Sequence, residues 1–421
     1  MTSTEAQGRK LWNARNTGLL VANTLADFGF WIDFLVILAM AAYTYQANGV
    51  MMAIVSALFL VPSMLLGARV GRWLDRNDPG HAIVIGLGLR TLVTAMLLLQ
   101  PSLWLFCVCV ALRSAFTIPI SPGFNVVVSR VVAKDQVPGY FGGLGVMRNI
   151  VKISAPFMGT AIASYYGDAS ALMLSIVLSV LGLVVTLFCA LGTKAASAES
   201  TNAASTDTAA QAPKPPSSQL TAPQSSLLTQ FLLTVTVFAF VVFFINNQLP
   251  VLLRDAGFDK ALLGALVSCS GAGGILASLY MIKRNAAMGA GDPMTATTVA
   301  VFATAMSFVV LGLVFLLPVP IAQYVAGLVF FCTGICASIE AIRSNTVIVQ
   351  HFETQAGEVS GKVAARTSAA MLGAPWVAAL AIPYISLSSL LILDGLAGIL
   401  VLALIASRYR GAEATRRAVA S

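Results

Sequence analysis

Long apolar runs interrupted by few charges constrain what this chain can fold into more than any other feature. Hydrophobic residues make up 58% of the 421 residues and charged residues only 10%, whereas soluble domains carry about 25% charged residues. A membrane-spanning helix takes about 20 residues. The sequence therefore excludes a soluble enzyme and predicts twelve transmembrane helices. The predicted spans are residues 16–44, 50–70, 81–99, 102–129, 140–166, 169–192, 227–250, 259–282, 294–317, 320–348, 359–383 and 386–407.

The basic residues lie in alternate connections between these spans, for example Arg72 and Arg76 in one connection and Arg130 and Lys134 in another. Arginine and lysine accumulate in cytoplasmic loops. This pattern predicts an inner-membrane protein with both termini in the cytoplasm. The same rule accounts for the net charge of +8 without a nucleic-acid partner. The first span is too long for the core of a signal peptide, so we expect it to be retained.

A polar segment divides the chain into two halves. Residues 193–226 are rich in Ala, Ser, Thr, Gln and Pro and show no apolar periodicity, which is typical of a disordered linker. The predicted domains are a six-helix bundle at 1–192, a cytoplasmic linker at 193–226 and a second six-helix bundle at 227–421.

The two halves align with each other at an offset of 214 residues. This offset carries Arg148 onto Lys362 and Lys152 onto Arg366. Parallel repeats of this kind build transporters whose substrate lies between the halves near the membrane midplane. The repeat therefore predicts a site between the two bundles.

The connection between spans 2 and 3 contains a recognisable motif. Gly71-Arg72-Trp73-Leu74-Asp75-Arg76 resembles the Gly-x-x-x-Asp-Arg signature of the major facilitator superfamily, and Arg113 resembles the mid-helix arginine of that family. Ser154-Ala155-Pro156-Phe157-Met158-Gly159 resembles its Gly-Pro-x-x-x-Gly antiporter element. The resemblance implies an all-α integral membrane protein with twelve transmembrane helices in two six-helix pseudo-repeat bundles. Residues that resemble the branch of enterobactin-type siderophore exporters are Gly67, Arg90 and Pro122.

The residue types in this motif suit a gate. Asp75 can cap a neighbouring helix and pair with arginines, and Gly71 permits close helix approach. We predict that Gly71, Asp75 and Arg76 form a cytoplasmic gate between the halves. The alternative is a charged turn that only obeys the positive-inside rule.

Ionisable side chains inside the predicted spans are the candidates for substrate binding. Each costs at least about 2.5 kcal/mol to insert, so it usually faces a cavity or a partner. Seven basic and four acidic residues in the spans leave a positive surplus, which favours an anionic substrate. The residues predicted to bind it are Arg113, Arg148, Lys152, Arg343, Lys362 and Arg366.

Two of these basic residues are predicted to clamp a polyanion. Arg148 and Lys152 are four residues apart on one face of span 5, and Lys362 and Arg366 repeat that spacing on span 11. The family resemblance implies that spans 5 and 11 lie on opposite sides of the cavity. Lys152 and Arg366 would then contact one ligand from opposite halves. The alternative is that these side chains reach to lipid phosphate.

Asp27, Asp33 and Glu340 are the predicted proton-coupling residues. Burial in a span favours the protonated form of a carboxyl group, which lets it carry a proton. Two alternatives remain open. In one, Asp27 or Asp33 neutralises an arginine permanently. In the other, Glu340 pairs with Arg343, which lies three residues further along the same span.

No pattern for catalysis or nucleotide binding occurs in the sequence. The nearest match to a phosphate-binding loop, Gly361-Lys362-Val363, lacks the first glycine and the final Ser or Thr. We therefore expect no enzymatic activity, no cofactor and no metal. The sequence predicts a monomeric secondary transporter, in contact with membrane lipid, that exports a small anionic metabolite such as a polycarboxylate siderophore in exchange for protons. A proton-coupled importer of organic anions and a multidrug efflux transporter are the alternatives.

Overall fold

The computed structural model describes residues 13–45, 49–190, 222–246, 260–283, 293–381 and 384–420, and this part of the chain is helical without a strand. The helices of the first half are α1 (Ala14–Ala39), α2 (Gly49–Arg76), α3 (Pro79–Met96), α4 (Leu103–Thr117), α5 (Ile120–Val131), α6 (Val137–Tyr166) and α7 (Asp168–Ala190). Those of the second half are α8 (Ala222–Asn246), α9 (Lys260–Lys283), α10 (Pro293–Val314), α11 (Val319–His351), α12 (Ala356–Ala381) and α13 (Leu387–Ala420).

Ten helical segments among the described residues are long and apolar enough to cross a membrane. They confirm a multi-pass membrane protein. The remaining long helices, α6 and α12, have 30 and 26 residues and are long enough to cross as well. Each carries basic residues in its interior, which lowers its hydropathy. The count of twelve spans, in two bundles, therefore stays a prediction.

The predicted fourth span, residues 102–129, is divided into α4 and α5. Together they form one candidate span, Leu103–Val131. Pro119 lies between them and has no N–H to donate to the preceding turn, so the helix breaks there.

Two helix pairs carry the main contacts between the halves. In the first half, α1 packs on α6 and α7; in the second, α8 packs on α12 and α9 packs on α11. Between the halves, α2 packs along α12 and α6 packs along α9. The halves therefore meet along two helix–helix contacts, α2 with α12 and α6 with α9.

The α2–α12 contact is built from glycines spaced four residues apart. A Cβ at Gly71 would overlap the carbonyl oxygen of Gly357, and a Cβ at Gly361 would overlap that of Gly67. Small residues at this spacing let helix backbones approach closely in membranes. We call these four residues the glycine seam.

The structure does not keep the constant repeat offset that the sequence suggested. An offset of 214 would carry the start of α6 at Val137 onto His351, which the structure places in the last turn of α11. α12 instead begins at Ala356. Lys362 and Arg366 therefore lie closer to the start of α12 than Arg148 and Lys152 lie to the start of α6.

The predicted linker lies mostly beyond the described residues. Its positions 193–221 are outside them, and α8 begins at Ala222, inside the C-terminal boundary predicted at residue 226. The domain boundaries remain predictions.

Candidate functional site

The start of α12 is capped by a side chain from the other half. Asp75, in the last turn of α2, accepts hydrogen bonds from the backbone N–H groups of Gly357 at 2.6 Å and Glu358 at 2.7 Å. These N–H groups have no partner within their own helix, and a carboxylate there also interacts favourably with the helix dipole. The predicted helix cap is therefore present in the structure.

Ion pairs surround this cap. Arg72 lies 3.5 Å from Glu358, and Lys134 lies 2.7 Å from Glu353. The amide of Gln350 donates to the carbonyl oxygen of Lys134 at 2.7 Å. We call the end of the molecule that carries Arg72, Asp75, Lys134, Glu353 and Glu358 the basic end. The two halves are in contact at this end.

The third predicted gate residue does not take part in the cap. Arg76 is exposed at the end of α2, whereas Gly71 is buried in the glycine seam. The gating role of Gly71, Asp75 and Arg76 stays a prediction.

A cavity of about 540 Å³ lies between the halves, where α1, α6, α8 and α11 meet. We call it the central cavity. Its lining residues are Asp27, Phe30, Trp31, Phe141, Gly145, Arg148, Asn149, Lys152, Phe243, Ala337, Ser338, Ala341, Ile342 and Asn345.

Three charged side chains give the central cavity a positive balance. The Nε of Arg148 donates to Asp27 at 3.0 Å, and both side chains are about one-third exposed. Lys152 is exposed one turn further along α6, and no described residue forms an ion pair with it. The described lining therefore offers one paired and one unpaired cation.

Amide and hydroxyl groups join the halves beside these charges. The side chain of Asn149 donates to Ser338 at 3.1 Å. That of Asn125 donates to Asn345 at 3.1 Å and to Ser360 at 3.0 Å. Sequence reasoning missed Asn149, Ser338 and Asn345, although amide side chains inside apolar spans were a signal that could have found two of them.

Asp33 and Arg113 form a separate, fully buried pair. The Nε of Arg113 donates to Asp33 at 3.2 Å, and its Nη2 bonds the other carboxylate oxygen. The guanidinium also lies 4.8 Å from the ring of Phe30 and 5.2 Å from that of Phe59. Neither Asp33 nor Arg113 lines the central cavity. This geometry favours the alternative in which Asp33 neutralises an arginine.

The two ionisable residues predicted on α11 also lie outside the central cavity. Glu340 is buried and accepts a hydrogen bond from Ser344 at 2.6 Å. Arg343 is partly buried on the same helix. Their predicted roles in proton coupling and substrate binding rest on the sequence alone.

The second basic pair lines a different cavity. A pocket of about 370 Å³ lies between α2, α8 and α12, and we call it the basic-end pocket. Its lining residues are Ala68, Leu228, Thr229, Leu232, Lys362, Ala365 and Arg366. Lys152 and Arg366 are therefore not brought together in this conformation, because the register of α12 carries its basic pair towards the basic end.

The described part of the chain contains no group of three or more His, Cys, Asp or Glu side chains that could hold a metal ion. In the central cavity, the described lining has a single carboxylate, and that carboxylate faces an arginine. The arrangement can bind an anion through Arg148 and Lys152.

Comparison with known protein families gives a match over most of the chain. The family model of the Major Facilitator Superfamily matches residues 19–374. An uncharacterised MFS-type transporter of Bacillus subtilis, YfiS, is 25% identical over 167 residues, which are 38% of this chain and 40% of that protein. The chain thus matches well under half the length of this curated relative.

Solved structures share the fold at low sequence identity. A bacterial homologue of the iron transporter ferroportin, in an outward-facing state, superposes with a TM-score of 0.71 at 14% identity, covering 94% of this chain and 100% of that one. The human organic anion transporter MFSD10 superposes with a TM-score of 0.70 at 14% identity, covering 93% and 98%.

Proposed function

Because the chain belongs to the major facilitator superfamily, we propose that it is a secondary active transporter that exports a small anionic metabolite in exchange for protons. It would work by alternating access of the central cavity to the two sides of the inner membrane. The basic end and both chain termini would face the cytoplasm.

The positive charge of the central cavity is the main support for this proposal. Lys152 is exposed to the cavity without an ion pair from the described residues, and Arg148 lies one turn away on the same helix. A guanidinium fork binds a carboxylate with two hydrogen bonds, and an ammonium adds a point charge. A ligand with several carboxylates would contact both side chains.

A polycarboxylate siderophore is the most specific substrate that we propose. The motif residues resemble siderophore exporters, and the fold is shared with an organic anion transporter. The fold is shared equally with a homologue of an iron transporter. A free metal cation or a cationic drug suits this cavity less well, because Asp27 is the one acid in its described lining and it faces Arg148.

A second candidate, proton-coupled import of an organic anion, is favoured by the Asp27–Arg148 pair. If Asp27 takes up a proton, Arg148 loses its partner and becomes available to the anion. Proton and anion would then bind together, which is the behaviour of a symporter. Exchange would instead require the proton to bind when the anion leaves.

Purified protein in liposomes can test both candidates. We expect uptake of a labelled citrate-based siderophore into preloaded vesicles by counterflow. Lys152→Gln should weaken its binding by roughly 10- to 150-fold, the effect of losing a hydrogen bond to a charged group. Lys283→Gln is the matched control, because Lys283 is exposed at the end of α9 and lines neither cavity.

In vesicles without internal substrate, where anion uptake is net, a pH-sensitive dye in the lumen distinguishes proton exchange from proton cotransport. Anion entry should make the lumen more alkaline if protons are exchanged and more acidic if they travel with the anion. Equal binding by wild type and Lys152→Gln for every anion tested would overturn the assignment of the central cavity.

A further inference from the structure

The transport cycle proposed above does not use the basic-end pocket. It lies between α2, α8 and α12, apart from the central cavity. We propose that it binds the phosphate headgroup of an anionic phospholipid and that this lipid stabilises the closed basic end.

The pocket has a surplus of positive charge. Lys362 lies 2.8 Å from Glu358, and Glu358 also faces Arg72 at 3.5 Å. This one carboxylate therefore serves two cations. Arg366 forms no ion pair with any described residue, and its side chain is part of the pocket wall. A guanidinium binds phosphate oxygens bidentately, so the pocket suits a phosphate group.

Exposed residues beside the pocket place it at the depth of lipid headgroups. Arg69 follows Ala68 of the pocket wall directly and is exposed, and Trp73, one turn from Arg69 towards the basic end, is 50% exposed. Tryptophan and basic residues mark the membrane interface. Leu65, one turn further into the membrane, is 59% exposed. A lipid here would present its phosphate at Arg366 and its acyl chains along Leu65.

The pocket walls come from both halves. Ala68 belongs to the first half, whereas the other lining residues, including Thr229 and Arg366, belong to the second. Separation of α2 from α12 would remove one wall. A ligand that binds only one conformation shifts the population towards it. An anionic lipid in this pocket therefore favours the state in which the glycine seam is closed.

The test is the thermal unfolding of the full-length protein in detergent without any transport substrate, so its result does not depend on the substrate proposed above. Phosphatidylglycerol, phosphatidylcholine and inorganic phosphate are titrated separately, and an apparent dissociation constant is taken from each dependence of the midpoint. Wild type is compared with Arg366→Gln, Arg366→Lys and the control Lys283→Gln.

We expect phosphatidylglycerol to raise the midpoint more than phosphatidylcholine does. Arg366→Gln should weaken this effect about tenfold or more, Arg366→Lys should weaken it less, and Lys283→Gln should leave it unchanged. If Arg366→Gln does not fold, Thr229→Trp tests the same site by placing a bulky side chain in the pocket lining, and it should also abolish the lipid effect. Equal stabilisation by both lipids, equal stabilisation by inorganic phosphate, or an unchanged effect in Arg366→Gln or Thr229→Trp would overturn the proposal.

Discussion

At the scale of single residues, the protein uses its buried charges in two ways. Asp33 and Arg113 are wholly enclosed and hydrogen-bonded to each other, with Thr94 donating to the same carboxylate at 3.3 Å. Asp27 and Arg148 form a pair that remains about one-third exposed in the central cavity. The enclosed pair suits a structural role, because no ligand can reach it. The open pair can exchange its partners for a substrate or a proton.

Loss of one charge from the Asp33–Arg113 pair should destabilise the protein. Arg113→Gln removes the counter-charge that is hydrogen-bonded to the buried Asp33, and the free energy of unfolding should fall by about 3–5 kcal/mol. The double variant Asp33→Asn/Arg113→Gln should recover part of this loss, because it removes both charges. Unfolding in mixed micelles measures the effect, with Lys283→Gln as control. A single variant as stable as that control would show that the pair is dispensable.

At the scale of helices, the glycine seam fixes how α2 and α12 pack. Each helix presents two glycines spaced four residues apart, and each backbone lies against the other. The cap by Asp75 lies at the end of the same contact. Backbone packing and the helix cap therefore hold the same two helices together.

Adding one methyl group to this seam should open it. In Gly361→Ala the new Cβ overlaps the carbonyl oxygen of Gly67, and overpacking of this kind costs about 1–3 kcal/mol. The ratio of closed to open basic ends should fall about 5- to 150-fold. Spin labels at the exposed residues Asn77 and Thr354, in a variant without cysteines, report the distance between the halves.

Gly373→Ala is the control within the same helix. No atom lies within 4 Å of a Cβ at Gly373, so its distance distribution should match that of the wild type. If Gly361→Ala gives that same distribution, the seam does not control closure.

The sequence predicted the helical membrane architecture because apolar runs are local patterns; it predicted that Asp75 caps a helix, but not that this helix is α12, whose capped N–H at Gly357 lies 282 residues away in the sequence. Apolar runs identify spans wherever they pack, and the position of Asp75 after an apolar run marks a helix end. It did not predict that Lys152 and Arg366 line different cavities. Their placement depends on the register of α12, which is set by where the chain enters that helix after α11, and equal spacing of charges on two helices carries no information about relative depth.

At the scale of the whole molecule, the contacts that join the halves at the basic end and the charges of the central cavity occupy different places. The glycine seam, the cap and the pairs at Glu353 and Glu358 lie at the basic end. Asp27, Arg148 and Lys152 lie in the central cavity. Closure and recognition can therefore be changed by different substitutions.

Substitutions of Asp75, which caps α12, should slow transport. Asp75→Asn keeps an acceptor for the α12 N–H groups but loses the charge, whereas Asp75→Ala loses both, which at a helix start costs about 0.5–2 kcal/mol. We expect transport rates in the order wild type, Asp75→Asn, Asp75→Ala, with normal membrane insertion of all three. The initial rate of siderophore counterflow and the yield in the membrane fraction check this. Equal rates at equal insertion would contradict a role of Asp75 in the conformational cycle.

The glycine seam has a consequence for how such a protein diversifies. Immobilising a rotamer-rich side chain in an interface costs about 0.5–1.5 kcal/mol, and glycine has no side chain to immobilise. If the halves alternate as proposed, the contact would form and separate at each turnover without any selection of side-chain rotamers, whatever occupies the cavity. A descendant of this chain could therefore acquire a new cargo through changes at Asp27, Arg148 and Lys152 while inheriting its closing movement unaltered.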